Sequence, residues 1–173
     1  HVMKSGRGVL ILVPEISLTP QTMARFKSRF ADTPGAVAIL HSAMSDGERF
    51  DEWHAIHRGK ARIAIGPRSA LFAPVQKLGL IIVDEEHEPS YKQQDPAPRY
   101  HARSAAIMMA SWYGAKVLLG TATPSVESYH NAMSGKYGLV EMRERFKGLQ
   151  LPKITMVDLQ RQYHRKEMYG HFA

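Results

Sequence analysis

Five short apolar runs, separated by stretches long enough for a helix, constrain this chain more than any other feature. They are Val9-Leu10-Ile11-Leu12-Val13, Ala36-Val37-Ala38-Ile39-Leu40, Ala61-Arg62-Ile63-Ala64-Ile65, Leu80-Ile81-Ile82-Val83 and Lys116-Val117-Leu118-Leu119. They are β-branched and nearly continuous. Strands of a parallel sheet read this way, because helices bury both of their faces. The intervening stretches carry helical signals. Pro20 to Phe30 places Met23, Phe26 and Phe30 on one face. Ser45 and Glu48 have the spacing of a capping box ahead of Phe50, Trp53 and Ile56. Ala102 to Trp112 is rich in Ala and Met, and Thr123-Pro124 has the form of an N-cap followed by proline at the first helical position. The order β-α-β-α-β-β-α-β-α predicts a doubly wound α/β domain, mostly parallel, with helices on both faces. Ligands of such sheets gather at the carboxyl ends of the strands, so the residues just after each run are the functional candidates.

Composition narrows the class. The 173 residues suit one domain with the beginning of another. Hydrophobic residues at 44% and charged residues at 23% exclude wholesale disorder. With no cysteine, disulfides and cysteine-ligated zinc are excluded within these residues. A net charge of +7 favours a polyanionic partner such as nucleic acid, although plain globular domains can be as basic. No apolar run approaches the roughly 20 residues of a membrane span, and no signal peptide is visible. The expectation is a soluble intracellular chain.

The fourth run feeds directly into Asp84-Glu85-Glu86-His87. Carboxylates at the end of a buried strand are costly unless a cation or hydrogen bonds hold them. A Mg²⁺-nucleotide site supplies such a cation: Asp84 would hold Mg²⁺ through water, and Glu85 would position or deprotonate the attacking water. The bland alternative is an acidic turn. The fifth run ends in Gly120-Thr121-Ala122-Thr123-Pro124-Ser125. Helix capping accounts for Thr123 but not for Thr121, whose hydroxyl would reach the acidic cluster on the neighbouring strand.

These two strings resemble motifs II and III of superfamily 2 helicases. Val13-Pro14-Glu15-Ile16-Ser17-Leu18-Thr19 resembles motif Ia, and Gly66-Pro67-Arg68-Ser69-Ala70-Leu71-Phe72-Ala73-Pro74 resembles motif Ib. Leu40-His41-Ser42 with Asp46-Gly47-Glu48-Arg49 matches the segment between them. Glu88-Pro89-Ser90-Tyr91-Lys92-Gln93-Gln94 and Arg99-Tyr100-His101-Ala102-Arg103 resemble the stretch after the acidic motif in the PriA family of replication-restart helicases. The resemblance runs from Val9 to about Asp158. It implies a RecA-like P-loop NTPase fold and an ATP- and Mg²⁺-dependent DNA helicase moving 3′ to 5′ in replication restart and primosome assembly. It also implies single-stranded and forked DNA, primosome proteins and single-stranded-DNA-binding protein as partners, and a bacterial cytoplasmic, nucleoid-associated location. The competing readings are another superfamily 2 translocase of the RecG kind and a non-catalytic DNA-binding module.

One departure matters. The family's Gly-x-x-x-x-Gly-Lys-Ser/Thr loop is absent, since Gly59-Lys60 precedes Ala61 and Gly135-Lys136 precedes Tyr137. The expectation is a piece of a longer protein, with residues 1–148 as the first motor domain and 149–173 as a linker and the start of a second. Such a piece should not turn over ATP alone, because the triphosphate lacks its cradle. Zinc is expected in the parent protein, with no ligands here.

Further candidates follow from residue type. Tyr91 and Tyr100 interleaved with Lys92, Arg99 and Arg103 suit single-stranded DNA, since bases stack on rings and phosphates pair with cations. Pro14, Glu15, Thr19, Arg68 and Ser69 follow strands and would hold DNA phosphates, or else simply cap and turn the chain. His87 would couple the two sites through Thr121 or Gln93, with Thr123 nearby. His54 and His57, beside Glu52, lack a third metal ligand on their face and read as a surface helix. Met108-Met109 reads as core filling.

Overall fold

The computed structural model describes residues 1–33, 35–143 and 156. Two compact units divide the chain, His1–Tyr137 and Gly138–Ala173. In the second, Arg143 Nε donates to Glu141 Oε2 at 2.9 Å. The strand expected at 151–158 and the tail after it lie, apart from Met156, outside the described residues.

All regular elements among the described residues belong to the first unit. The strands are β1 (Gly8–Leu12), β2 (Val37–Ile39), β3 (Ile63–Gly66), β4 (Leu78–Val83) and β5 (Lys116–Leu119). The helices are α1 (Pro20–Arg29), α2 (Asp46–His57), α3 (Ala102–Tyr113) and α4 (Val126–Met133). Their order along the chain is the predicted one. The sheet runs β2-β3-β1-β4-β5, and every neighbouring pair is parallel. The chain starts centrally in β1, runs out to β2, returns through β3, and then crosses to β4 on the other side. That change of direction sets the carboxyl ends of β1 and β4 side by side at a switch point.

Period-two alternation sends each continuous apolar strand into two cores. On one face, Leu10, Leu12, Ala38, Ala64, Ile81 and Val83 pack with Ile56 of α2 and with Ala102, Ala106 and Ala110 of α3. The alanines recur every fourth residue, so α3 presents a stripe of small side chains to the core. On the other face, Val9, Val13, Ile39, Ile63 and Ile65 pack against Met23, Phe26 and Phe30. Helices thus cover both faces, as predicted. The fifth run departs from that pattern. Lys116 and Leu118 are exposed while Val117 and Leu119 pack towards α3, because among the described residues β5 is the sheet edge and is covered on one face only. Met109 packs on the core, but Met108 points to solvent rather than filling it.

The helix starts follow their caps. The Ser45–Glu48 capping box forms, with the Ser45 amide donating to Glu48 Oε2 at 2.8 Å. Thr19 caps α1 by accepting from the Thr22 amide at 3.2 Å. Helix α4 starts two residues later than Thr123-Pro124 suggests, and Ser125 is its N-cap. The reason is tertiary: a buried carboxylate holds Ser125, as described below.

Gly66, at the end of β3, marks a close approach. A Cβ there would lie 2.6 Å from Ala70 Cβ and 2.8 Å from the Leu40 carbonyl oxygen. Backbone cannot yield as a flexible side-chain tip can. Gly66→Ala should therefore destabilise the unit by about 1–3 kcal/mol. Urea denaturation of the variant against the parent chain measures it.

Candidate functional site

Strand β4 delivers four polar residues at the switch point, and the fold sends each to a different place. The Asp84 amide donates to the Leu12 carbonyl at 2.9 Å, which extends the β4–β1 ladder by one residue. The Asp84 carboxylate stands in solvent and accepts no hydrogen bond among the described residues.

Glu85 takes a left-handed backbone, with φ of 47°. For a residue with a Cβ this costs about 1–2 kcal/mol and persists only where the surroundings impose it. They do so here. The Glu86 amide donates to the Gly120 carbonyl at 3.0 Å and the Glu88 amide to the Glu85 carbonyl at 2.8 Å. The Tyr91 hydroxyl donates to the Asp84 carbonyl at 2.6 Å. The strained turn leaves the Glu85 carboxylate half-exposed next to that of Asp84.

Glu86 turns inward and is 1% exposed. Its carboxylate accepts from the Ser125 amide at 2.7 Å, the Ser125 hydroxyl at 3.0 Å, the Ser128 hydroxyl at 2.8 Å and the Arg103 guanidinium. Burial by itself raises the Glu86 pKa. The Ser125 amide, Arg103 and the two serine hydroxyls outweigh it and hold the carboxyl below the ordinary glutamate value. One side chain thereby joins the β4 turn to α3 and to the start of α4.

His87 lies between the two threonines. Its Nδ1 is 2.8 Å from Thr121 Oγ1 and its Nε2 is 3.4 Å from Thr123 Oγ1. Its Nδ1 is also 3.6 Å from Glu85 Oε2. Thr121 Oγ1 further accepts from the Thr123 amide at 3.0 Å. The two strand ends are thus stitched together through one imidazole. Gln93 takes no part in this. Its side-chain amide donates to the carbonyls of Pro96 at 2.7 Å and Pro98 at 3.2 Å, closing the following loop on itself.

The other candidates separate by burial. Tyr91 is 1% exposed, so its ring cannot stack on a base. Burial, and then the charges of Asp84, Glu88 and Glu85, push its hydroxyl well above the ordinary tyrosine range, which keeps it a donor. Arg103 faces Glu86 inside the fold rather than a phosphate outside it. Pro14 is buried and offers its ring to no ligand; its carbonyl accepts from the Ser17 amide. The Arg68 guanidinium is spent on the carbonyls of Ser90 at 2.8 Å and Lys92 at 3.1 Å, tying the turn after β3 to the loop after β4. Tyr100 is half-buried against Phe72. Lys92, Arg99, Ser69, Thr19 and Glu15 are exposed.

The donor chemistry fits a magnesium nucleotide. Mg²⁺ keeps most of its waters and needs one or two carboxylates besides phosphate oxygens. Asp84 and Glu85 offer two at an open strand end. No group of three metal-ligating side chains occurs among the described residues, so nothing resembles a closed all-protein cage. No helix among them is long and apolar enough to cross a membrane.

The residue that sequence reasoning passed over is Glu86, together with Ser125 and Ser128. A signal existed, since three carboxylates after a buried strand cannot all face one cation, and Ser125 and Ser128 have the i, i+3 spacing of a helix start.

Comparison with known proteins bears on the family and the fold. The family model for DEAD/DEAH box helicases matches residues 1–132. The chain is 48% identical over 158 residues to the replication restart protein PriA of Bacillus subtilis, covering 91% of this chain and 19% of that protein. It is 47% identical over 159 residues to PriA of Chlamydia pneumoniae, covering 92% and 21%. It is 46% identical over 162 residues to PriA of Haemophilus influenzae, covering 94% and 22%. The chain therefore spans about a fifth of the length of these curated relatives. Among solved structures, the C-terminal domain of Saccharomyces cerevisiae Dbp5 superposes with a TM-score of 0.50 at 17% identity, covering 78% of this chain and 72% of that one. That likeness supports the RecA-like fold.

Two outcomes follow from the site. Glu86 has a lowered folded-state pKa, so its stabilisation is complete above the ordinary glutamate value of 4.5 and is lost as pH falls through the folded value. Glu86→Gln should be less stable than the parent at pH 7 by about 3 kcal/mol, since it strands Arg103. The gap should narrow as pH drops below 4.5; equilibrium denaturation at a series of pH values reads it. At Glu85, the glycine variant should be more stable than the alanine variant by about 1 kcal/mol, because only glycine adopts a left-handed backbone freely. Equal denaturation midpoints would remove the claim of strain.

Proposed function

The chain belongs to the DEAD/DEAH box helicase family, and on that premise we propose that it forms part of the first motor domain of a PriA-type, ATP-dependent DNA helicase that moves 3′ to 5′ and acts in replication restart. The carrying observation is the division of labour in the acidic turn. Asp84 and Glu85 face solvent on a rigid, strained frame, Glu86 is locked inside, and His87 joins the frame to Thr121 and Thr123. The identity of 46–48% with PriA proteins over about nine-tenths of the chain supports the same reading.

Asp84 would hold the Mg²⁺ of the nucleotide through water. Bound Mg²⁺ supplies neutralisation of charge on the phosphate oxygens. Glu85 would orient the attacking water and accept its proton, with the carboxylate already placed by the turn. His87 would convey changes between the nucleotide side and the loop of residues 88–101 through its two threonine contacts. The DNA contacts would come from the exposed Lys92 and Arg99, from Thr19 at the start of α1 and from Ser69 in the turn after β3, all to phosphates rather than base edges. Single-stranded and forked DNA, single-stranded-DNA-binding protein and primosome proteins would be its partners, in the bacterial cytoplasm near the nucleoid.

The test uses a protein in which this segment is joined to a Gly-x-x-x-x-Gly-Lys-Ser/Thr loop and to a second motor domain. There Glu85→Gln should retain ATP binding and lower DNA-stimulated turnover by at least about 10²-fold. Turnover close to that of the parent would sink the role given to Glu85.

A further inference from the structure

The opposite edge of the sheet, where the strands begin, carries a charge pattern that the acidic turn does not use. Strands β3, β1, β4 and β5 are parallel neighbours, so the segments leading into them meet along one edge. These segments are 58–62, 1–7, 74–77 and 113–116. The Gly8 amide donates to the Lys77 carbonyl at 3.0 Å, and the Val9 amide to the Arg62 carbonyl at 2.8 Å. A Cβ on Gly59 would lie 3.9 Å from Gln76 Cγ, which sets the Lys60 turn against the Lys77 turn. The four segments hold four lysines and three arginines, and no aspartate or glutamate. Asp32 enters only with the connection to β2, at the far side of the sheet.

Folding uses some of these cations. Arg7 donates to the carbonyls of Leu78 at 2.7 Å, Tyr113 at 3.1 Å and Gly114 at 3.0 Å, and Arg62 to that of Met3 at 3.0 Å. Arg58 is the C-cap of α2 and complements the helix dipole. Lys60, Lys77 and Lys116 lie outside the helices, and Lys4 ends the short first turn. All four lysines are exposed, and none has an ion-pair partner among the described residues. Lys77 also has a left-handed backbone, with φ of 48°. Glycine suits such a position better, so a long cation there is strained, and strain of this kind gathers at functional sites. The turns carrying Lys4, Lys60 and Lys77 expose no large apolar side chain among the described residues.

We propose that this edge is a second, separate phosphate-binding face that takes the backbone of a duplex arm, with Lys4, Lys60, Lys77 and Lys116 as its contacts. The proposal rests on the DNA-motor reading above and adds a substrate part to it. Adjacent strands lie about 4.8 Å apart, so the lysines are spread across the edge as a broad field of point charges. A duplex hides its bases and presents phosphates, and it needs no stacking ring. A partner protein would need an apolar centre, and its carboxylates would favour the planar fork of arginine. The arginines Arg7 and Arg62 are already engaged with carbonyls.

The experiment uses this 173-residue chain. A labelled blunt duplex and a single strand of equal length are titrated by anisotropy at a series of NaCl concentrations. A variant with Lys4→Gln, Lys60→Gln, Lys77→Gln and Lys116→Gln should bind the duplex at least about tenfold more weakly at low salt, with the logarithmic salt slope reduced by about 3 to 4. Its affinity for the single strand should stay that of the parent chain. Lys77→Gly separates binding from folding. It should raise the melting temperature by about 3 °C while lowering the duplex salt slope by about one. An unchanged duplex slope in the fourfold variant overturns the second face and leaves the motor reading standing. Failure of the parent chain to bind either DNA overturns both. Poly-glutamate that displaces the duplex as well as unlabelled duplex does, at equal charge, assigns the edge to an acidic protein and overturns the claim for DNA.

Discussion

A single buried carboxylate organises the carboxyl edge of this sheet. Glu86 is charged and nearly solvent-free, a state that is costly without partners and stable with four. Those partners come from α3 and from the first turn of α4, elements that join the sheet on either side of β5. By satisfying Glu86 they fix where α4 begins, which way the turn after β4 runs, and which side chains are left facing water. The choice of Ser125 rather than Thr123 as the helix cap follows from this one group.

The strain at Glu85 belongs to the same arrangement. With Glu86 drawn inward and Asp84 held on the β1 ladder, the residue between them has little freedom and adopts a left-handed backbone. The consequence is chemical. Two adjacent carboxylates reach solvent on a frame stitched by backbone hydrogen bonds and by the Tyr91 hydroxyl. Precision of this kind comes from the frame rather than from the carboxylates. It explains why so much of the aromatic and basic character around β4 is turned inward: Tyr91 braces the turn after it, Arg103 neutralises Glu86, and Arg68, in the turn after β3, clips the loop that follows β4.

Much of the fold was legible in the sequence. Continuous apolar runs of strand length, alternating with capped helical stretches, specify a parallel sheet covered on both faces, and element order follows directly. The edge position of β5 was not legible, since Lys116-Val117-Leu118-Leu119 looks as apolar as a central strand. At the site, the acidic string and the paired threonines were legible because their residue types are unusual after buried strands. The division of tasks among Asp84, Glu85 and Glu86 was not. Nor could composition distinguish an arginine that meets phosphate from one that neutralises a buried carboxylate, or a tyrosine that stacks on a base from one that props a turn.

The sequence by itself determined the alternation of strands and helices, the ends at which chemistry gathers, and the residue types that gather there. Those properties are local, set by side-chain periodicity, capping and turn chemistry along the chain. Tertiary structure decided the direction in which each functional side chain points. Direction depends on which distant groups can desolvate and satisfy a charge, and Arg103, Ser125 and Ser128 lie 17 to 42 residues from Glu86 along the chain. Tertiary structure also brought Glu15, Arg49, Trp53 and Phe72 around one cavity, a grouping of three separate segments that no local pattern announces.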